Sequence, residues 1–440
     1  MRNNILYIFL TLSIAFTSCE DVLQVSPRDA VDASQLITNA NSAGVAINGM
    51  YDQLQDDDIF GLHYMMMPDL LSDNMLHSGT FTSYREMDDN DMLAGNVDVG
   101  TTWDEMYEAI YRANLIIDLL PNVDDPALAS LKAGYIGEAK FVRAITYFHL
   151  VRLFGDLPLI TTPTKDLASV DIARSSESDV IAQIISDLTD AVAGLADGGS
   201  VTRASKGAAN AFLAKVQLWK GDHAAALAAA NAVTGYSLES DYASLYATGG
   251  GGSEAIFRVE FNTVDANSIS FWYWDKPAGR HEFAPTDDLM NAYETGDLRQ
   301  AASYTTATGG GGTHYVTKYN DFATGTDKPY GIRYADVLLL KAEAAARGGD
   351  YATATTAINE VRTRAGLADI TLDASNFETA ILQERRVELA FEGDRWFDLR
   401  RTGKVTDYLT AQGRVADKQL LPIPQSEMDT NPSMTQNTSY

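Results

Sequence analysis

Apolar residues recur along most of the chain at three- and four-residue steps, the period of a helix buried on one face. Trp103, Tyr107, Ile110 and Tyr111, continued by Asn114, Ile117 and Leu120, form one such stripe. Phe141, Ile145, Phe148 and Val151 form a second within Ala139–Phe154, and Pro121 and Pro126 punctuate the interval between them. The pattern predicts a mainly α protein. Two later segments are alike: LAKVQLWKGDHAAALAAANAV from Leu213 to Val233, and KAEAAARGGDYATATTAINEV from Lys341 to Val361. Laid on one another they match Ala214 with Ala342, Gly221-Asp222 with Gly349-Asp350, Ala226 with Ala354 and Asn231 with Asn359. Each predicts helix, tight Gly-Asp turn, helix, with small residues where two helices approach closely. That is the logic of a tetratricopeptide hairpin, which needs neighbours to bury its apolar face. The separation far exceeds a tandem spacing of roughly 34 residues, so other material lies between the hairpins.

That intervening material has a different texture. Residues 249–252 and 309–312 are both GGGG, expected as exposed loop tips. Ile256 to Phe261 alternates as a strand does. Ser270-Phe271-Trp272-Tyr273-Trp274-Asp275-Lys276 holds the densest aromatic cluster, and residues 61–100 form a second irregular stretch rich in Asp, Met, Ser and Gly. Loops on a rigid scaffold usually carry function, which makes these two stretches the natural places for a ligand.

The string ERRVELAFEGDRWFDLRRTGK, Glu384 to Lys404, interleaves acids and bases with Val387, Leu389, Phe391, Trp396, Phe397 and Leu399. Ser375 and Glu378 have capping-box spacing and predict a helix start. Gly393 suits the C-cap of that helix, and Asp394 the N-cap of a second, shorter one. Charges beside so much apolar surface are expected to be partly buried and paired. A catalytic reading needs a nucleophile or a metal, and the string has no Ser, Cys or His. The expectation is a structural brace.

Charge and the N-terminus then narrow the setting. With 60 acidic against 33 basic residues the 440-residue chain has a formal net charge of −27. Such a surface repels phosphate backbones, so nucleic acid is not an expected partner. Neutral, cationic or mixed-charge ligands fit better, unless a local basic pocket overrides the net sign. Arg2 precedes the apolar run ILYIFLTLSIAF, too short for an ordinary membrane span. A basic start before such a run is a signal peptide, here residues 1–18. The run ends at Cys19, the only cysteine, in a pattern similar to a bacterial lipobox. Lipidation of Cys19 would hold the mature protein on a membrane, at about 0.8 kcal/mol per buried methylene.

Metal and catalytic signatures are missing. Asp56-Asp57-Asp58 and Asp88-Asp89-Asn90-Asp91 do not match a calcium loop and are expected as solvated acidic loops. The six histidines show no HExxH and no close pairing, so no zinc site, no other metal and no cofactor is expected. No GxSxG or GxxxxGK[ST] string occurs, and no pair of carboxylates singles itself out for glycoside hydrolysis.

The charged string resembles the hallmark of the SusD/RagB family of outer-membrane nutrient-binding lipoproteins. The resemblance extends to Phe154-Gly155-Asp156-Leu157-Pro158-Leu159, the Trp103/Tyr107/Asn114 helix, Ala284 to Leu289, Asp297-Leu298-Arg299, and Ile332 to Leu339 running into Ala342-Glu343-Ala344. It implies a SusD-like fold: mainly α, with paired tetratricopeptide-like hairpins and a loop-rich, partly β ligand-binding region. On that reading residues 19–440 form one SusD-like domain, helical over about 20–235 and RagB/SusD-like over about 250–440. Glu20 and Asp21, just after the cysteine, resemble the family's surface-export signal. The resemblance further implies a non-enzymatic, cell-surface lipoprotein anchored in the outer membrane. Its partners would be a SusC-like TonB-dependent transporter and a glycan, or in some branches a peptide.

The family's ligand residues vary, so the candidates come from chemistry. Sugar C–H faces stack on aromatic planes while polar side chains meet the hydroxyls. Trp272 and Trp274, with Tyr273 between them, are one candidate platform; strand alternation would put the two tryptophans on one face. The competing reading packs one aromatic pair of that strand into the core. Phe81, Tyr84 and Arg85, with Asp73 and Asn74 upstream, are the second candidate, against a plain solvated loop. Arg280, His281 and Glu282 are candidate rim contacts. The expected function is capture of oligo- or polysaccharide and its delivery to the transporter. Alternatives are a peptide-binding lid of the same fold, a helical-repeat adaptor and, last, a surface hydrolase.

Overall fold

A computed structural model describes residues 36–164, 171–247, 250–307 and 313–440. Cys19, the signal peptide and the second tetraglycine lie outside the described residues.

The helical stripes become helices at the expected places. We label α1 (Ala40–Gln53), α2 (His63–Leu70), α3 (Thr82–Asp88), α4 (Val97–Leu119), α5 (Lys132–Phe154), α6 (Glu177–Gly194), α7 (Lys206–Lys220) and α8 (His223–Asn231). Further on come α9 (Ile269–Tyr273), α10 (Tyr334–Arg347), α11 (Tyr351–Arg364), α12 (Phe377–Glu388) and α13 (Arg395–Arg401). Neighbours α4 to α8 pack in sequence order, α1 lies against α4, and α8 then meets α10 of the second hairpin. The two similar segments, far apart in the chain, are therefore adjacent in space, and Leu227 of α8 packs between their cores. This is the neighbour each hairpin needs to cover its apolar face.

The hairpin turns work as their sequences imply. Gly221 takes a left-handed conformation (φ +84°), and Asp222 then caps α8 by accepting a hydrogen bond from the Ala225 N–H. Asp350 does the same for α11 through the Thr353 N–H. Strands are short and paired in twos. β1 (Met75–His77) runs antiparallel to β3 (Phe283–Pro285), β2 (Ala255–Arg258) to β6 (Tyr330–Arg333), and β4 (Tyr304–Thr306) to β5 (His314–Val316). The predicted strand at Ile256 is β2.

Two loop expectations hold only in part. Of the first tetraglycine, Gly252 is exposed but Gly251 is buried, and Arg258 donates to the Gly250 carbonyl. Residues 61–100 hold α2, α3 and the start of α4 between irregular stretches, and Met65, Met66, Met67, Met87 and Met92 are core residues. Methionine's flexible thioether fills irregular core gaps, a role that composition alone reads as loop.

The charged string is buried. α12 begins after Asn376 with no side-chain cap, because Ser375 bonds to Asp373 instead; the capping-box expectation fails. Asp394 does precede α13, but its carboxylate accepts from Lys215 at 2.8 Å instead of capping. Arg299 donates to Asp297, Glu384 and Glu388 at 2.7, 2.6 and 2.9 Å. Arg333 reaches Glu254 (2.8 Å), Glu388 and Glu392 (2.8 Å), and Arg364 reaches Glu254 (3.1 Å) and Glu388. Arg385 joins Asp336 and Asp398, each at 2.7 Å, while Lys318 meets Glu392 at 2.9 Å. Burial alone would raise these carboxyls, but Arg333 and Lys318 hold Glu392 down to about 2, and Arg401 and Arg347 hold Glu343 down to about 2. Glu384 goes the other way: burial raises it despite Arg299. The network ties α10, α12 and α13 to β6 and the preceding loops.

Candidate functional site

The second candidate segment begins at β1. Beyond it, residues 78–81 fold around the carboxylate of Glu282. The Phe81 N–H donates to Glu282 Oε1 at 2.8 Å, the Thr80 N–H donates to the same oxygen, and His77 Nε2 lies 3.1 Å away. Burial pushes the Glu282 carboxyl up, but the Phe81 N–H, His77 and the Thr80 N–H outweigh it and hold the group below the ordinary glutamate range. A Cβ at Gly79 would fall 2.0 Å from Glu282 Cδ, so only glycine lets the loop close over this carboxylate. Glu282 is thus a buried anchor that fixes Phe81 at the start of α3 through Oε1, while Arg280 Nε approaches Oε2 at 3.4 Å.

The expected strand over 270–275 is instead the short helix α9 followed by a return. Its last carbonyls, which a helix end leaves open, accept from the returning chain. Arg280 N–H donates to Phe271 O (2.7 Å), His281 N–H to Trp274 O (2.9 Å) and Glu282 N–H to Trp272 O (2.9 Å). Gly279 makes the return, where a Cβ would sit 2.4 Å from the Trp274 carbonyl oxygen. These bonds carry Arg280 onto the aromatic surface. Its guanidinium carbon lies 4.6 Å from the Phe81 ring centre and 5.4 Å from that of Trp272.

Helical geometry splits the predicted aromatic run. Trp272 packs edge-to-face on Phe81 (5.5 Å), on Tyr84 (6.0 Å) and on Phe271 (5.6 Å), and its indole N–H donates to Ser268 Oγ at 3.1 Å. Trp274 faces elsewhere, near Phe322 (4.9 Å) and Tyr315 (5.5 Å), with its indole N–H on the Tyr319 carbonyl at 2.7 Å. The two tryptophans therefore do not form one platform. Tyr273 is fully buried and is corrected to a core residue; burial raises its phenol. Phe81 (37% exposed), Phe271 (44%) and Phe322 (42%) remain open to solvent, and both tryptophans are half-buried.

Tyr84 is buried beneath Trp272. His63 holds its hydroxyl at 3.1 Å through Nε2 and contacts Asp58 through Nδ1. Burial disfavours charge on His63, yet Asp58 and Asp98 outweigh it and raise its pKa. Asp58 also accepts from Thr101 at 2.6 Å, so the first acidic run is engaged in structure rather than solvated. In the second, Asp88 meets Arg414 at 2.9 Å and Asp91 meets Lys418 at 2.6 Å. Among the described residues no cluster of His, Cys, Asp and Glu is arranged to hold a metal ion.

Three further candidates are corrected. Asn74 is buried, donating to Asp69 at 2.7 Å and accepting from Arg386 at 3.0 Å. Asp73 is clamped by Arg395 through two bonds of 2.7 Å. Both belong to the charged brace. His281 has φ +52° and turns its ring to the His314 carbonyl, 3.0 Å away, as part of the return. Arg85 is exposed one helical turn after Phe81. The structure therefore brings together Phe81, Tyr84, Trp272 and Arg280, with Arg85 alongside. Phe271 belongs with them, while Tyr315 and Phe322 join Trp274; sequence reasoning did not select these three, and only the cluster's aromatic density pointed to Phe271.

Clefts of about 340 and 470 Å3 also open along α4, and Tyr111 lines both. Their polar groups include Asp104, Glu108 and Arg112, and Arg112 is already bonded to Glu108 at 2.9 Å. The patch around α9 offers more exposed ring surface and cations less tightly paired, which makes it the better binding candidate.

The family model described as "SusD family" matches residues 269–418, and one described as "Starch-binding associating with outer membrane" matches residues 21–218. Two SusD-like proteins of Formosa agariphila are 27% and 26% identical to the chain, each alignment covering 98% of both sequences. A solved laminarin-binding SusD-like protein is 26% identical with a TM-score of 0.83, over 92% of this chain and 100% of that one. A SusD superfamily protein from Parabacteroides distasonis is also 26% identical, with a TM-score of 0.81 over 91% of this chain and 99% of its own.

Proposed function

The chain belongs to the SusD/RagB family, and from that premise we propose that it is a cell-surface glycan-binding lipoprotein. It captures oligo- or polysaccharide and delivers it to a SusC-like TonB-dependent outer-membrane transporter. The supporting observation is the aromatic patch: Phe81, Trp272 and Phe271, from segments nearly 200 residues apart, meet in edge-to-face contact, with the Phe81 and Phe271 rings open to solvent. Sugar C–H faces stack on such rings, and the polar edges supplied by Arg280 and Ser268 can bond hydroxyls. Capture breaks no bond, so the protein works without catalytic groups. Lipidation at Cys19 anchors it in the outer membrane at the cell surface.

Affinity electrophoresis tests the reading. The purified protein should be retarded by gels containing a polysaccharide it captures, and Trp272→Ala should abolish the retardation. Retardation that survives Trp272→Ala would move the site elsewhere. Binding to protein digests with none to any glycan would transfer the function to peptides. Release of reducing ends would make the protein an enzyme. Co-purification of a TonB-dependent barrel from detergent-solubilised outer membranes checks the delivery step, and a soluble Cys19→Ala protein checks the anchor.

A further inference from the structure

We propose that the patch is built for an acidic glycan, one carrying carboxylate or sulfate groups; the inference rests on the capture reading above. The chain's net charge of −27 would hold such a polymer away, so recognition requires local, unsatisfied positive charge. The arginines of the fold show where that charge is. Most are paired with acids, and the remainder, Arg174, Arg258 and Arg400, donate to carbonyl groups. Among the described arginines the side chain of Arg85 alone makes no hydrogen bond, ion pair or ring contact. It stands in the open, one turn along α3 from Phe81.

Arg280 is the second cation. Its side chain is 41% exposed, and its one acidic contact is a long 3.4 Å approach to Glu282. That approach is to Oε2 of a buried carboxylate whose Oε1 is held by His77, Thr80 and Phe81, and it engages only the Arg280 Nε, leaving both terminal nitrogens without a hydrogen bond. Contact with the Phe81 and Trp272 rings holds the guanidinium in place without using up its terminal N–H donors. At the indole N–H edge of Trp272, Ser268 separates the ring from Asp57. The Phe81 face therefore presents rings beside guanidinium groups, a match for a sugar ring bearing an anion. Arg favours planar, bidentate recognition of such oxyanions.

The test is affinity electrophoresis of the full chain, with mobilities corrected against polymer-free gels. The gels contain polygalacturonate or alginate (carboxylate), a sulfated galactan, or the neutral laminarin and dextran. The expected result is retardation by a carboxylated or sulfated polymer in preference to both neutral ones, weakened as salt is raised. Arg85→Gln and Arg280→Gln should each weaken it roughly tenfold, with partial rescue by Arg280→Lys, which keeps charge but not the fork. Matching urea midpoints would show that the variants fold. Retardation by laminarin or dextran alone overturns the acidic-ligand inference and leaves glycan capture standing. Acidic retardation unchanged in the Arg85/Arg280 double variant also overturns it. Retardation by no polymer overturns the capture reading and this inference with it.

Discussion

Two groups of arginines show what this fold does with the same side chain. Around Glu388, the guanidinium groups of Arg299, Arg333 and Arg364 are buried, and carboxylates of Glu254, Glu384, Glu388 and Glu392 answer them. Around Phe81, Arg280 and Arg85 are exposed, one stacked on rings and one without any partner. Removing an ion from water costs several kcal/mol, so a buried arginine persists only where partners surround it. An exposed one can be left unpaired at little cost and so stay available to a ligand. The most distinctive string of the chain is therefore structural, and the proposed binding chemistry lies in a segment with no repeated motif.

The largest expected effect lies in the buried group. Glu388→Gln keeps the shape but removes the charge shared by Arg299, Arg333 and Arg364. Breaking a buried network by one partner costs about 3–5 kcal/mol, to be read as a lower urea midpoint and poorer expression. The fraction that folds should still be retarded by glycan. A stable Glu388→Gln protein that fails to bind would reverse the two regions' roles.

Acid should act on the same group. Glu392 and Glu343 are both held down to about 2 in the folded protein, below the ordinary glutamate value of about 4.3. Their contribution is full above that ordinary value and is lost as pH falls from there towards 2, because the unfolded chain takes up the protons first. Each is worth on the order of 3 kcal/mol, partly offset by Glu384, whose raised pKa works in the opposite sense. Urea midpoints measured between neutral pH and pH 3 should fall steeply below about pH 4.5. A flat profile would mean that the buried acids are not held ionised by their arginines.

At the aromatic group the expected effect shifts from folding to binding. Trp272→Ala should lower glycan affinity about tenfold or more, since buried aromatic anchors dominate such contacts. Trp274→Ala should matter less for the ligand, because its indole is tied to the Tyr319 carbonyl and packs on Phe322. Equal losses from both would show a ligand spanning both faces of α9.

The helices were legible because their period is local: the stripe through Trp103 and Tyr107 needs no knowledge of what it packs on. The two hairpins were legible as units, though not as neighbours, since only the fold brings α8 to α10. The brace was legible as a brace, but its partners Glu254, Arg299, Lys318 and Arg333 come from distant segments that no spacing connects. At the patch, aromatic density identified the segment and then misled about geometry. A strand would have aligned Trp272 with Trp274; α9 separates them, because residues 280–282 return to satisfy the helix's carbonyls instead of a neighbouring strand. Asp73 and Asn74 look like loop ligands in sequence, yet Arg395 and Arg386 lie across more than 300 residues to claim them.

The smallest expected effect gives the finest test of the contrast. Arg85→Gln should change folding stability by less than about 0.5 kcal/mol, the usual range for a surface substitution that removes no contact. Arg395→Ala, by comparison, strips the two 2.7 Å bonds from half-buried Asp73 and should cost several times more. Both are single arginine removals, so a shared effect of net charge on a chain of −27 cancels between them. Urea midpoints of the two variants side by side isolate the partner's contribution. If Arg85→Gln fell as far as Arg395→Ala, Arg85 would have a partner in the folded protein and could not be the cation held free for a ligand.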